Sequence, residues 1–172
     1  MVAFMTTLTQ LDKYASKWFH DEMRRRGFAV EKKFIFWRKR GPLFDMFVTR
    51  ISSGGFLEIK VTIWSPWVNH SNGELGEFPP DYSLIGGRLS DGFPTDMFGE
   101  PLLSVEDEQV MELSLRSLLV LIDQYALPWF PTINSYETYV AYVGKRGYNP
   151  TPERIEMVKA GIARGFQQEK FL

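Results

Sequence analysis

The chain reads as an α+β protein: an N-terminal helix on an antiparallel β-sheet of three to five strands, followed by three C-terminal helices. Three observations predict this class. An apolar stripe of helical spacing opens the chain. Strand-like segments joined by short, turn-rich links follow, and helical periodicity returns in the last third. The 172 residues fit a single domain, 1–172.

Over residues 9–26, Leu11, Tyr14, Ala15, Trp18, Phe19 and Met23 recur three and four apart and predict one helix. Thr9 suits its N-cap, with Asp12 three residues on. Arg24, Arg25 and Arg26 suit the negative end of the helix dipole, and Gly27 supplies a left-handed stop. A β-meander over 32–64 comes next, with strands at Lys32–Arg38, Leu43–Ile51 and Phe56–Trp64. In the last, Leu57, Ile59, Val61 and Ile63 fall on one face, which predicts a sheet buried on that side. Gly41-Pro42 and Ser52-Ser53-Gly54-Gly55 are turn chemistry, too short for parallel crossovers.

Residues 65–103 hold five of the ten prolines and six of the fourteen glycines, with Tyr82–Leu89 alone strand-like. In the helical part, 104–172, Ser104 caps a helix to about Tyr125, which Leu127-Pro128 ends. Asn134 with Glu137 opens a second helix to about Lys145. Thr151-Pro152 opens a third, striped by Ile155, Val158, Ile162 and Phe166.

Composition narrows the function. The chain has no cysteine, which excludes disulfides, thiol nucleophiles and thiolate zinc sites. Its longest aliphatic run, Leu118 to Ile122, is far below the ~20 residues that span a bilayer. The N-terminus has no signal-peptide pattern, so the expected location is cytoplasmic and no membrane partner is expected. The two histidines, His20 and His70, are isolated in sequence, and no nucleophile elbow, zincin pair or phosphate loop occurs. No catalytic residue, metal site or cofactor is assigned, and the expectation is a non-enzymatic protein.

A net charge of −1 conceals segregation: residues 1–60 carry twelve Lys/Arg against six Asp/Glu, whereas residues 71–108 carry nine acids against Arg88 alone. Such runs are solvated faces, or pair across the fold, or dock on a partner of opposite charge. The last reading makes Trp64, Trp67 and Tyr82 aromatic anchors, with Glu74, Glu77, Asp81, Arg88, Asp91 and Asp96 as the polar surface facing a basic protein. Two alternatives use other residues. The basic 24–40 region, with Phe34, Phe36 and Trp37, has the makings of a nucleic-acid module, ranked behind protein binding because the acidic stretch would repel phosphate. His70 with nearby acids would make a hydrolase site.

Four short motifs carry a resemblance: Arg26-Gly27-Phe28, Phe36-Trp37-Arg38, Leu84-Ile85-Gly86-Gly87-Arg88-Leu89 and Leu127-Pro128-Trp129-Phe130. Together they resemble a bacterial family of small proteins of unknown function, similar in build to the immunity proteins of toxin systems. Arg26 stands where that pattern has leucine. The resemblance implies a cytoplasmic antitoxin-like binder of a basic, toxin-like protein, and it transfers no catalytic residue.

Overall fold

The computed structural model describes residues 2–31, 34–51, 57–67, 85–88, 108–143 and 151–169. Within them the architecture is mixed α+β. Two helices, α1 (Val2–Ala15) and α2 (Phe19–Arg25), precede a five-stranded antiparallel sheet. Its strands are β1 (Ala29–Glu31), β2 (Ile35–Arg40), β3 (Leu43–Ile51), β4 (Leu57–Trp64) and β5 (Ile85–Arg88), paired in chain order as a meander. Helix α3 (Glu108–Leu121) continues through a π turn (Ile122–Ala126) into α4 (Leu127–Trp129) and a 3-10 turn (Phe130–Thr132). Helices α5 (Tyr136–Val143) and α6 (Pro152–Gln168) follow.

The single helix expected over 9–26 is two helices. Trp18 leaves helical backbone at φ −157°, and the Ser16 hydroxyl donates to the Lys13 carbonyl at 2.7 Å, closing α1. Leu11, Ala15, Phe19 and Met23 nevertheless stay buried, so the four-residue spacing survives the break and turns α2 onto the sheet. Gly27, at φ +83°, ends α2 as expected: Gly27 N–H reaches the Arg24 carbonyl and Phe28 N–H the Met23 carbonyl, a Schellman pair.

The strand expected at Lys32–Arg38 lies at Ile35–Arg40, because the chain first reverses. Glu31 pairs with Ile35, and Phe34, which immediately precedes β2, adopts φ +60°. A non-glycine there is costly. Phe34 is 1% exposed and stacks on Phe19 at 5.4 Å, so burial of its ring holds the strained backbone. The next link is as expected: Arg40 pairs with Leu43 across Gly41-Pro42, with Gly41 at φ +58°. The expected Tyr82–Leu89 strand is represented by β5.

One face of the sheet, with Phe36, Leu43, Phe47, Ile59, Val61 and Ile63, shares a continuous core with Leu11, Phe19, Met23, Leu115, Leu118, Ile122 and Phe130. Tyr139 of α5 and Ile162 of α6 complete that core. Burial is not confined to that face: Met46, Thr62 and Trp64, on the opposite side of β3 and β4, are 0%, 2% and 6% exposed.

Pro128 does not end the long helix. A proline ring collides with the carbonyl four residues back in a regular α-helix. Here Leu127 N–H bonds the Ile122 carbonyl, one residue further back than in an α-helix. That wider turn opens the ladder just ahead of Pro128 and lets the run continue to Thr132. The cap of α5 also differs from expectation. Ser135 and Thr138, not Asn134 and Glu137, exchange bonds: Thr138 N–H donates to Ser135 Oγ at 3.2 Å, and Ser135 N–H to Thr138 Oγ1 at 3.0 Å. Helix α6 opens at Pro152 as expected.

Candidate functional site

The expected binding residues distribute unevenly. Trp64 is buried, 5.3 Å from the Phe44 ring, and so supports the second face of the sheet. Trp67, three residues on, is half-buried and turns onto the end of α6. Its indole N–H donates to Glu169 Oε1 at 2.7 Å. A methyl group built at Gly165 would sit 2.8 Å from the indole ring, so only glycine admits this approach. Glu169 also pairs with Lys39 at 2.5 Å. Burial acts to raise the Glu169 carboxyl, and the Lys39 ammonium and the indole N–H outweigh it, leaving the group below its ordinary range. Arg88 lies on β5, its Cα in register with that of Lys60. Glu74, Glu77, Asp81, Tyr82, Asp91 and Asp96 lie outside the described residues, as does His70.

The basic segment 24–40 is where the described polar chemistry concentrates. Asp45, 0% exposed, receives Arg38 Nε at 2.9 Å and an Arg40 terminal nitrogen at 3.0 Å. The same Arg40 nitrogen donates to the carbonyls of Phe130 and Ile133, each at 2.9 Å. Arg38 lies 4.8 Å from the centroid of Phe28 and 5.6 Å from that of Phe130. Held by one buried carboxylate, Arg40 thus ties the β2–β3 hairpin to the 3-10 turn that closes the helical run. Composition and periodicity do not single out Asp45. The signal was present: a two-residue link at Gly41-Pro42 sets Arg40 opposite Leu43 and hence Arg38 opposite Asp45.

The arginine run is committed in the same way. Arg24 pairs with Asp21 at 2.7 Å, and Arg25 pairs with Glu22. Arg26 makes a two-pronged contact with Asp123 of the π turn, both bonds at 2.7 Å, and a further contact with Glu22 at 2.9 Å. The bonds to Asp123 first, then those to Glu22, hold its guanidinium protonated beyond its ordinary value. Among the described residues, then, the bases of 24–40 do not form one exposed cationic stripe. Phe34 and Phe36 face the core at 1% exposure, closed to base stacking.

A second polar seam joins α1 to α3. Tyr14 donates to Glu112 Oε2 at 2.7 Å, Arg116 meets the other carboxylate oxygen at 2.6 Å, and Lys17 pairs with Glu108 at 3.0 Å. The Tyr14 bond is the main cause that raises the phenol and lowers the Glu112 carboxyl. His20, in the first turn of α2, is 7% exposed and stands edge-on to Phe36 at 5.8 Å. Among the described residues no three His, Asp or Glu side chains gather as a metal site, and no helix is long and apolar enough to cross a membrane.

The arrangement can fix rigid elements and neutralise cations internally. Comparisons with protein-family models, curated proteins and solved structures return no match to this chain.

Proposed function

We propose that the chain is a non-enzymatic cytoplasmic protein that binds another protein, a toxin-neutralising immunity protein in type. Its acidic 71–108 stretch would meet a basic surface of that partner and occlude it. One observation carries the reading. Arg24, Arg25, Arg26, Arg38, Lys39 and Arg40 find their acids in Asp21, Glu22, Asp45, Asp123 and Glu169, all outside the acidic stretch. These six bases are thus provided for by the described helices and sheet. Of the nine acids of residues 71–108, Glu108 is the described one and pairs with Lys17; the −8 balance of the stretch suits an external cationic surface, which speeds encounter and sets specificity.

In this reading Trp64 and Trp67 act from inside. They hold the point where the chain leaves β4, while Tyr82 is the aromatic offered to the partner. Capture from host lysate tests it, with wild-type protein and the Glu74→Lys, Glu77→Lys, Asp81→Lys variant as baits. The expected result is a basic protein retained by the wild type, released by salt and lost to the variant. A partner held equally by both baits would overturn the proposal.

A further inference from the structure

His20 is the buried imidazole that neither the core nor the binding reading uses. It is the second residue of α2, just past the Ser16–Trp18 break, and its side chain is 9% exposed. Three elements meet on it: α1 through Asp12, α2 through its own backbone, and β2 through Phe36. Nε2 lies 3.3 Å from Asp12 Oδ1, an ion-pair distance, yet the two buried atoms are not aligned as a hydrogen bond. An imidazole here gives up hydration without a well-directed partner in return.

Among the described residues the charges acting on it are Asp12 on α1 with Asp21 and Arg24 on α2, and β2 presents the Phe36 ring. Asp12 is 28% exposed, so water weakens its attraction for an imidazolium, whereas His20 has almost no water of its own. Arg24 opposes the charge further. Burial therefore dominates and draws the imidazole below its ordinary value.

We propose that the α1–α2 joint is an acid-sensitive latch, closed while His20 is neutral and opened when a solvent proton charges it. Opening loosens α1 from α2 at this joint, while Tyr14 still bonds α1 to Glu112 of α3 and Arg26 still bonds the end of α2 to Asp123. The sign follows from linkage. With the folded imidazole lowered, the unfolded chain takes the proton first. The closed joint is at full strength above the ordinary imidazole value of about 6.5 and weakens as pH falls below it. This inference is independent of what the acidic stretch binds.

The test uses the full chain carrying His70→Gln, which leaves His20 the sole imidazole of the two in the sequence. NMR titration from pH 8 to 5 reads His20, and amide exchange, corrected for intrinsic rates, reads α1 at each pH. The expected result is a His20 midpoint below about 6.5 and a loss of α1 protection on the order of tenfold through that midpoint. Removing the attraction in Asp12→Asn should lower the midpoint further. Replacing the imidazole in His20→Gln should leave α1 protection flat with pH. A midpoint at or above the ordinary value, or constant α1 protection across the titration, overturns the proposal. If His20→Gln does not fold, an unmoved midpoint in Asp12→Asn does the same.

Discussion

Asp45, fully buried, draws two partly exposed arginines onto one carboxylate, and at the residue scale that is the most consequential choice among the described residues. Removing one partner of a buried pair leaves the others charged and unmatched, at a cost of about 3–5 kcal/mol. Arg38 and Arg40 keep 26% and 18% of their side-chain exposure, which lets water compensate in part. Asp45→Ala should therefore destabilise the fold by about 3 kcal/mol, toward the lower end of that range, read as a shift in the urea midpoint at constant slope. A change under about 1 kcal/mol would mean that the arginines find equivalent partners elsewhere. Phe34 shows the opposite bargain at the same scale. A left-handed non-glycine costs about 1–2 kcal/mol, and a fully buried phenyl ring is worth more, so the strain persists.

At the scale of elements, one contact between distant parts of the chain and one local cap invite direct tests. Gly165 on α6 receives the Trp67 indole so closely that Gly165→Ala must displace the ring or the helix. The expected cost is about 1–3 kcal/mol, with Trp67 emission shifted to the red in a Trp67→Phe difference spectrum. An unshifted spectrum would place the indole elsewhere. Thr138→Ala removes half of the reciprocal cap on α5 and should cost about 1 kcal/mol in thermal unfolding, whereas Glu137→Ala should cost less. Legibility in sequence divides along the same lines. Patterns repeated over several residues were readable: the β3 span, the Gly41-Pro42 turn, the Gly27 stop and the α6 start. What was not readable depends on one residue behaving against type. Phe34 stands where a glycine would announce a turn, so the sequence pattern hides β1 and runs β2 from Lys32 instead of Ile35. Pro128 sits inside a helical run because a π turn precedes it, and nothing in local composition encodes that turn. The buried pair on Asp45 was within reach of hairpin arithmetic, whereas Trp67 on Gly165 joins residues 98 apart and needs the tertiary fold.

The whole molecule separates its charges by role. Bases near the N-terminus are consumed in holding helices to the sheet: Arg26 fastens α2 to the π turn, Arg40 fastens the hairpin to the 3-10 turn, and Lys39 with Glu169 fastens α6. Residues 71–108 carry nine of the twenty-one acids in the chain and, in the proposed function, face a basic protein. Screened contacts of this kind weaken as salt shortens the Debye length from about 10 Å at 0.1 M to about 3 Å at 1 M. Fold-holding pairs on buried Asp45 are screened far less, so binding should fail with salt well before the fold does. Isothermal titration of the captured partner against wild type and the Glu74→Lys, Glu77→Lys, Asp81→Lys variant, from low to high salt, puts this to the test. The expected result is wild-type affinity that falls steeply with salt and variant affinity that is already low and nearly flat. Equal affinities for the two proteins with no salt dependence would contradict it.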